Sequence, residues 1–384
     1  MPPLLGMTVL GFAGFALLLP TAPLWARHGG ADEGGAGLVN AVLLLSTVVF
    51  QSMVPWALRA FGWRSVLTAG VLLLGVPSVL FMLTDALPAL LAISAVRGAG
   101  FGILTVCGSS AVVRLVAQSH RGRAIGIYGL AIAVPQVLFV PTSSLLAEVL
   151  DFSVVFALGA LPVLAVPFTL RLGARLDRAP AETQASADAG EPATRRVAAV
   201  LALAVPMLVL LSITTPGGAL TTFAPQLGYT AVVVMLALFA FTVTTAVSRW
   251  LAGGLADRYG PARFVVPLLV IGAGGLVLIA WAVAAPAATA VPFVVGMVLV
   301  GVAYGALQNL TLVMSFAAVP GRLRDMASAA WNIGFDTGTA TGSLVVGFIA
   351  AGADFSVGFM TTAALCVLVA VLYAVLLVVR ARRG

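Results

Sequence analysis

Twelve apolar stretches, each long enough to cross a bilayer, fill this chain of 384 residues, and charge is confined almost wholly to the short segments between them. A hydrocarbon layer about 30 Å thick takes about 20 helical residues to cross. The stretches lie near 4–25, 38–58, 65–84, 88–113, 124–146 and 152–171, then near 197–216, 229–251, 264–284, 290–317, 326–350 and 355–379. Within lipid, every backbone N–H and C=O must find a partner inside its own segment or in a closed barrel. Runs of this length, rich in Leu, Ala and Val, therefore predict helices. With 61% hydrophobic and only 9% charged residues, against about 25% charged in a soluble domain, the predicted class is all-α integral membrane, with 12 transmembrane helices.

All 20 basic residues are arginine. Without lysine there is no Walker A phosphate loop and no Schiff-base chemistry. His28 and His120 are the only histidines, too few for a His-based zinc site. No cofactor or metal is expected, and the chain does not read as an enzyme.

The net charge of +7 is distributed by topology. Numbering loops alternately from a cytoplasmic N-terminus puts every arginine except Arg27 and Arg97 on one face. Arg27 shares the other face with Asp32, Glu33, Asp85, Glu148, Asp151 and Asp354. This is the positive-inside bias, which predicts both termini in the cytoplasm. It also removes the case for a nucleic-acid partner. A bacterial cytoplasmic (inner) membrane is the expected location. Cys107 and Cys366 fall inside spans and imply no disulfide framework. Only Met1 to Pro3 precede the first span, with no basic region, so it reads as a retained helix.

One long polar segment, 173–196, rich in Ala, Pro, Asp, Glu and Arg, reads as a flexible cytoplasmic linker. It separates residues 1–172 from residues 197–384, six spans each. The halves resemble one another. Gly98-Ala-Gly-Phe-Gly-Ile-Leu104 in span 4 aligns with Gly301-Val-Ala-Tyr-Gly-Ala-Leu307 in span 10 at an offset of 203. The same offset pairs Arg121 with Arg324, Ala124 with Ala327 and Tyr128 with Trp331. Parallel repeats of six helices point to a transporter whose site lies between the halves.

Between spans 8 and 9 lies Gly253-Gly-Leu-Ala-Asp257-Arg258-Tyr-Gly260-Pro-Ala-Arg263. It resembles the cytoplasmic signature G-x-L-a-D-r-x-G-r-r of the major facilitator superfamily. The resemblance implies two pseudo-symmetric six-helix bundles and a gating role for Gly253, Asp257, Arg258, Gly260 and Arg263, latching the halves on the cytoplasmic side. The implied partner is the start of span 5, after Arg121 and Arg123. Gly260 permits the tight turn, and Asp257 can face a helix N-terminus. In the first half the corresponding loop is Pro55-Trp-Ala-Leu-Arg59-Ala-Phe-Gly62-Trp-Arg64, where the glycine is kept and Arg59 stands in place of the acid. Span 5 carries Gly126-Ile-Tyr-Gly129-Leu-Ala-Ile-Ala-Val134-Pro135, similar to a worn glycine-proline antiporter motif, and the similarity tilts the reading toward export.

Two ionisable residues, Arg97 and Asp336, stand well inside apolar stretches. A carboxylate at the centre of a bilayer costs about 2.5–3.5 kcal/mol on insertion scales, and burial disfavours its charged form. Asp336 is therefore the leading proton carrier. Ser328, Asn332, Asp336, Thr339 and Ser343 share one side of a helix, while Gly334, Gly338 and Gly342 form a ridge suited to close packing. Arg97 can bind an anionic substrate, tune an acid, or brace helices through carbonyl groups. Further substrate-binding candidates are Asn332 in span 11, Tyr304, Gln308 and Asn309 in span 10, Gln51 in span 2, and Tyr128 and Gln136 in span 5.

The sequence thus predicts a monomeric secondary transporter working by alternating access. The first reading is proton-coupled export of a small hydrophobic or amphipathic compound. The alternatives are uptake of a small organic anion bound by Arg97, and a transport-inactive receptor or scaffold. Its expected partners are the substrate, protons and the lipid bilayer.

Overall fold

The computed structural model describes residues 1–116, 121–178, 193–285, 290–320 and 324–381. Every regular element among them is helical. They are α1 (Pro2–His28), α2 (Glu33–Gly75), α3 (Leu87–Leu115), α4 (Arg121–Val149), α5 (Phe152–Gly159) and α6 (Val166–Arg178), then α7 (Ala193–Phe223), α8 (Ala231–Tyr259), α9 (Ala262–Ala284), α10 (Ala290–Ala318), α11 (Arg324–Gly352) and α12 (Phe355–Ala381).

Among the described residues, 11 helical segments are long and apolar enough to cross a membrane, and one of them, Glu33–Leu83, runs for 51 residues. At 1.5 Å per residue it would be about 77 Å long, more than two hydrocarbon thicknesses. It is two crossings. The break is at Gly62, whose φ of 74° and ψ of 167° leave the helical region, a conformation that glycine adopts without a Cβ penalty. Spans 2 and 3 are thus the two parts of α2, α3 is span 4, α4 is span 5, and α5 and α6 form span 6 through the 3₁₀ turn Leu161–Ala165. From α7 onward, helix and span numbers coincide.

The second crossing of α2 has an end cap the sequence did not suggest. Asp177, in the last turn of α6, accepts from the backbone N–H groups of Trp63 at 2.7 Å and Arg64 at 3.2 Å. An acid is thus supplied beside a loop in which Arg59 replaces the one the family pattern would place. Gly173, the first residue of the expected linker, packs against the Arg64 backbone. The helix continues to Arg178 because Thr169, Leu172 and Leu176 bury one of its faces. Of the rest of the expected linker, 179–192 lies outside the described residues, and 193–196 begins helix α7 instead.

The chain forms two compact units. The first comprises Met1–Ala179, Ala219–Phe239 and Ser343–Gly352, and the second Pro180–Gly218, Ala240–Gly342 and Ala353–Gly384. In the first, Leu17, Leu18, Phe81, Val155 and Phe156 make a buried core. There the Asn40 amide donates to Leu19 O at 2.7 Å and to Thr222 Oγ1 at 2.9 Å, and Thr222 shares a 2.8 Å hydrogen bond with Ser343. Gly37 and Gly347 let α2 and α11 cross at backbone contact beside this chain.

The internal repeat is visible in atomic detail. In the first unit, Gly98 and Gly102 of α3 press on the carbonyls of Leu43 and Thr47, and Thr47 Oγ1 donates to Gly98 O at 3.1 Å. In the second, Gly301 and Gly305 of α10 press on the carbonyls of Phe241 and Thr245, and Thr245 Oγ1 donates to Gly301 O at 3.3 Å. The same glycine pair meets the same four-residue step on the partner helix in each unit. The second ridge also packs as expected: Gly338 meets Thr214, Gly342 meets the Thr215 carbonyl, and Gly334 approaches Met207, all on α7.

Candidate functional site

Arg97 is buried to 1% exposure in the first unit. Its Nε donates to Ser78 Oγ at 3.1 Å and Leu74 O at 3.4 Å, and its Nη2 to Gly14 O at 3.3 Å. The guanidinium lies 5.8 Å from the centre of the Phe81 ring. Its donors thus reach α1, the end of α2 and the 3₁₀ turn that follows. This is the geometry of a brace.

Asp336 lies in the second unit at 6% exposure. The Tyr304 phenol, hydrogen-bonded to Thr339, is within electrostatic reach of Asp336 and of Arg249. Arg249 Nη1 donates to Gln308 Oε1 at 3.1 Å, and its guanidinium lies 6.0 Å from the Trp331 ring centre. Asn309 Nδ2 reaches back to Arg249 O at 3.1 Å. Trp331 is fixed by donating to Thr311 Oγ1 at 3.1 Å and stacks on Phe335 at 5.6 Å. Phe335 stands 6.2 Å from Tyr304, which in turn lies 5.3 Å from Phe241. Gly217 of α7 leaves room for the Tyr304 ring. A phenol coupled to an acid on one side and to a guanidinium cation on the other thus stands among aromatic rings, with an amide bonded to the cation.

Arg249 is a site residue that sequence reasoning did not single out. Ending span 8 near 251 made it a topology-setting charge at the membrane edge. Helix α8 instead runs on to Tyr259, so Arg249 lies more than two turns inside the helix. Its residue surface is exposed while its head points at Gln308. A guanidinium facing hydrocarbon is costly, and here the head group is turned onto Gln308 and the Trp331 ring. Its spacing from Gln308 across two helices left no signal in the sequence.

Of the remaining candidates, Asn332 donates to Ser328 O at 2.9 Å within its own helix. Ser343, expected on the same polar stripe as Asp336, is instead engaged with Thr222 in the first unit. Gln51 bonds Thr105 at 3.3 Å, Gln136 bonds Ile132 O at 3.4 Å, and Tyr128 is buried with its hydroxyl against Gly108. These three lie in the first unit.

In the loop motif, Gly260 has φ 80° and its N–H bonds Ala256 O at 2.9 Å, closing α8 one residue before Pro261. Arg258 lies over Tyr259 at 5.1 Å, and the side of Gly253 where a Cβ would project faces the Asn309 amide. Asp257 and Arg263 are exposed. The side chains at 121 and 123, implied as the latch partners, lie outside the described residues.

The family profile of the Major Facilitator Superfamily matches residues 4–215 and 202–384. The fold is similar to a bacterial homolog of the human lysosomal transporter Spinster in an inward-facing, unoccupied conformation, with a TM-score of 0.78, 15% identity, and coverage of 97% of this chain and 95% of that one. It is also similar to the POT family transporter PepTSo, with a TM-score of 0.76, 12% identity, and coverage of 97% and 96%. For the nucleoside transporter NupG the TM-score is 0.70 at 16% identity, with coverage of 98% and 99%. A comparison with curated protein sequences finds no match.

Proposed function

Since the chain belongs to the major facilitator superfamily, and is therefore a membrane transporter and not an enzyme, we propose that it exports a small hydrophobic or amphipathic compound in exchange for protons. The observation that carries this reading is Asp336, a buried carboxyl on a membrane-spanning helix, within electrostatic reach of the Tyr304 phenol, which Arg249 also reaches. A buried acid beside a phenol switches its local charge on protonation. When ionised, it draws on Tyr304; when protonated, it releases it. Arg249, which faces the same phenol, is held by Gln308. Such a charge change inside low dielectric biases a rocking equilibrium more strongly than it would in water.

The ring set Phe241, Tyr304, Trp331 and Phe335 supports an apolar or aromatic substrate. Arg97 serves this transporter as a structural brace. Its guanidinium is already engaged with three acceptors, so no observation favours uptake of an anion at that residue. Both termini face the cytoplasm of a bacterial inner membrane, and the protein works as a monomer, with the motif at Asp257 gating the cytoplasmic side.

The test is cellular accumulation of a fluorescent lipophilic dye. Expression lowers accumulation, a protonophore abolishes the effect, and D336N behaves as the empty vector. Raised accumulation on expression would reverse the direction, and indifference to the protonophore would remove the proton.

A further inference from the structure

A cavity of about 490 Å³ opens in the first unit, and Arg97 is not among its lining residues. Its volume falls within the roughly 300–1,000 Å³ typical of small-molecule sites. It is built from the end of α1 (Leu24, His28), the end of α4 (Ser144, Glu148), Phe152, and Tyr229 ahead of α8. These ends belong to the arginine-poor loop face.

Three features give the cavity a chemistry. The first is charge. Arg27 also lines it, but Arg27 Nη2 pairs with Glu33 at 2.7 Å and Nη1 donates to Ala31 O at 2.7 Å. Glu148 is exposed and makes no ion pair among the described residues. The uncompensated charge in the wall is therefore negative. The second is an aromatic surface. His28 lies flat on Trp25 at 4.9 Å, and Phe152 stands 5.9 Å from His28 and 4.9 Å from Trp25. Aromatic faces attract organic cations. The third is Ser144, 5% exposed, whose hydroxyl has no hydrogen-bond partner. A buried polar group left unpaired costs free energy that a suitable ligand recovers.

We propose that this cavity binds a small organic cation with an apolar or aromatic body. Its ammonium group faces Glu148, its ring lies on the His28–Phe152 wall, and a polar atom meets Ser144. This is a second site, beyond the transport reading above, and binding there holds whichever way the protein transports.

The native thiols Cys107 and Cys366 are both buried, so a single introduced cysteine reports on the cavity. Ala231→Cys places a thiol in the wall, and Leu24→Cys is a second reporter should the first fold poorly. Intact cells are treated with a membrane-impermeant maleimide, with and without ethidium. The reporter is labelled from outside and ethidium slows the labelling. Adding Glu148→Gln raises the half-protective concentration about tenfold, the equivalent of about 1.4 kcal/mol. Ser144→Ala raises it by less, and an anionic naphthalene sulfonate gives no protection. D336N leaves protection unchanged while removing coupled transport, which separates failure of this site from failure of the transport reading. An unlabelled reporter, equal protection in Glu148→Gln, or protection by the anionic dye would overturn the proposal.

Discussion

Replacing Arg97 separates bracing from binding. The side chain is 1% exposed and fills a space between α1, α2 and α3. Its hydrogen-bond acceptors are not stranded when it leaves. Ser78 Oγ still donates to Leu74 O at 3.2 Å, and the Gly14 carbonyl lies inside α1. The main cost of Arg97→Ala is therefore lost volume. Large-to-small changes at fully buried positions cost about 2–5 kcal/mol, and Arg97→Ala is expected within that range. Arg97→Met restores most of the volume and removes a buried charge, an exchange that is often close to neutral, so its loss should stay below about 1.5 kcal/mol. The assay is thermal unfolding of the detergent-purified protein beside transport per mole of folded protein. The expected result is a large fall in Tm for the alanine variant, a small one for methionine, and near-normal turnover for methionine. Normal unfolding of Arg97→Met together with a loss of substrate affinity would refute the bracing role.

Other outcomes follow from particular contacts. Asp177→Ala removes the acceptor for Trp63 and Arg64 N–H and should cost about 1 kcal/mol, read as a lower Tm; an unchanged Tm would mean the cap is idle. Gly305→Val drives a branched side chain into Thr245 and Ser248 and should abolish folded expression, whereas Gly126→Ala, with open space at its Cβ position, should gain up to about 1 kcal/mol from helix propensity; size-exclusion profiles of the two check both. Hydrogen bonds from Ser153, side chain first and then backbone, hold the Asp151 carboxyl below its ordinary range. The stability this gives is present above the unfolded-state value and is lost as pH falls through the lower folded one. Asp151→Ala should therefore flatten the acid limb of Tm against pH while leaving its neutral-to-alkaline part parallel to wild type.

Features that depend on one segment's own composition were legible. The twelve crossings, the Gly62 and Gly260 turns and the glycine step shared by α3 and α10 all follow from local runs and spacings. The ridge at Gly334, Gly338 and Gly342 did too, because a packing face needs only helical period. What stayed hidden needed a partner from elsewhere. Asp177 looked like linker because nothing at 173–178 reveals that α6 ends beside the start of the second crossing of α2. Arg249 looked like a loop charge because apolarity fades before the helix does. Arg97 could be placed at depth, but its spacing says nothing of Ser78 or Gly14. Ser343 shared a face with Asp336 on a helical wheel yet joined Thr222 and Asn40 in the other unit. A period of 3.6 residues gives direction and not company.

Proton movement itself is the direct measurement. In proteoliposomes enclosing a pH-sensitive dye, addition of a transported compound should drive proton flux in the direction opposite to the compound. D336N should bind the compound and show no proton flux. Flux of wild-type size in D336N, with the same dependence on pH, would contradict the role given to this carboxyl.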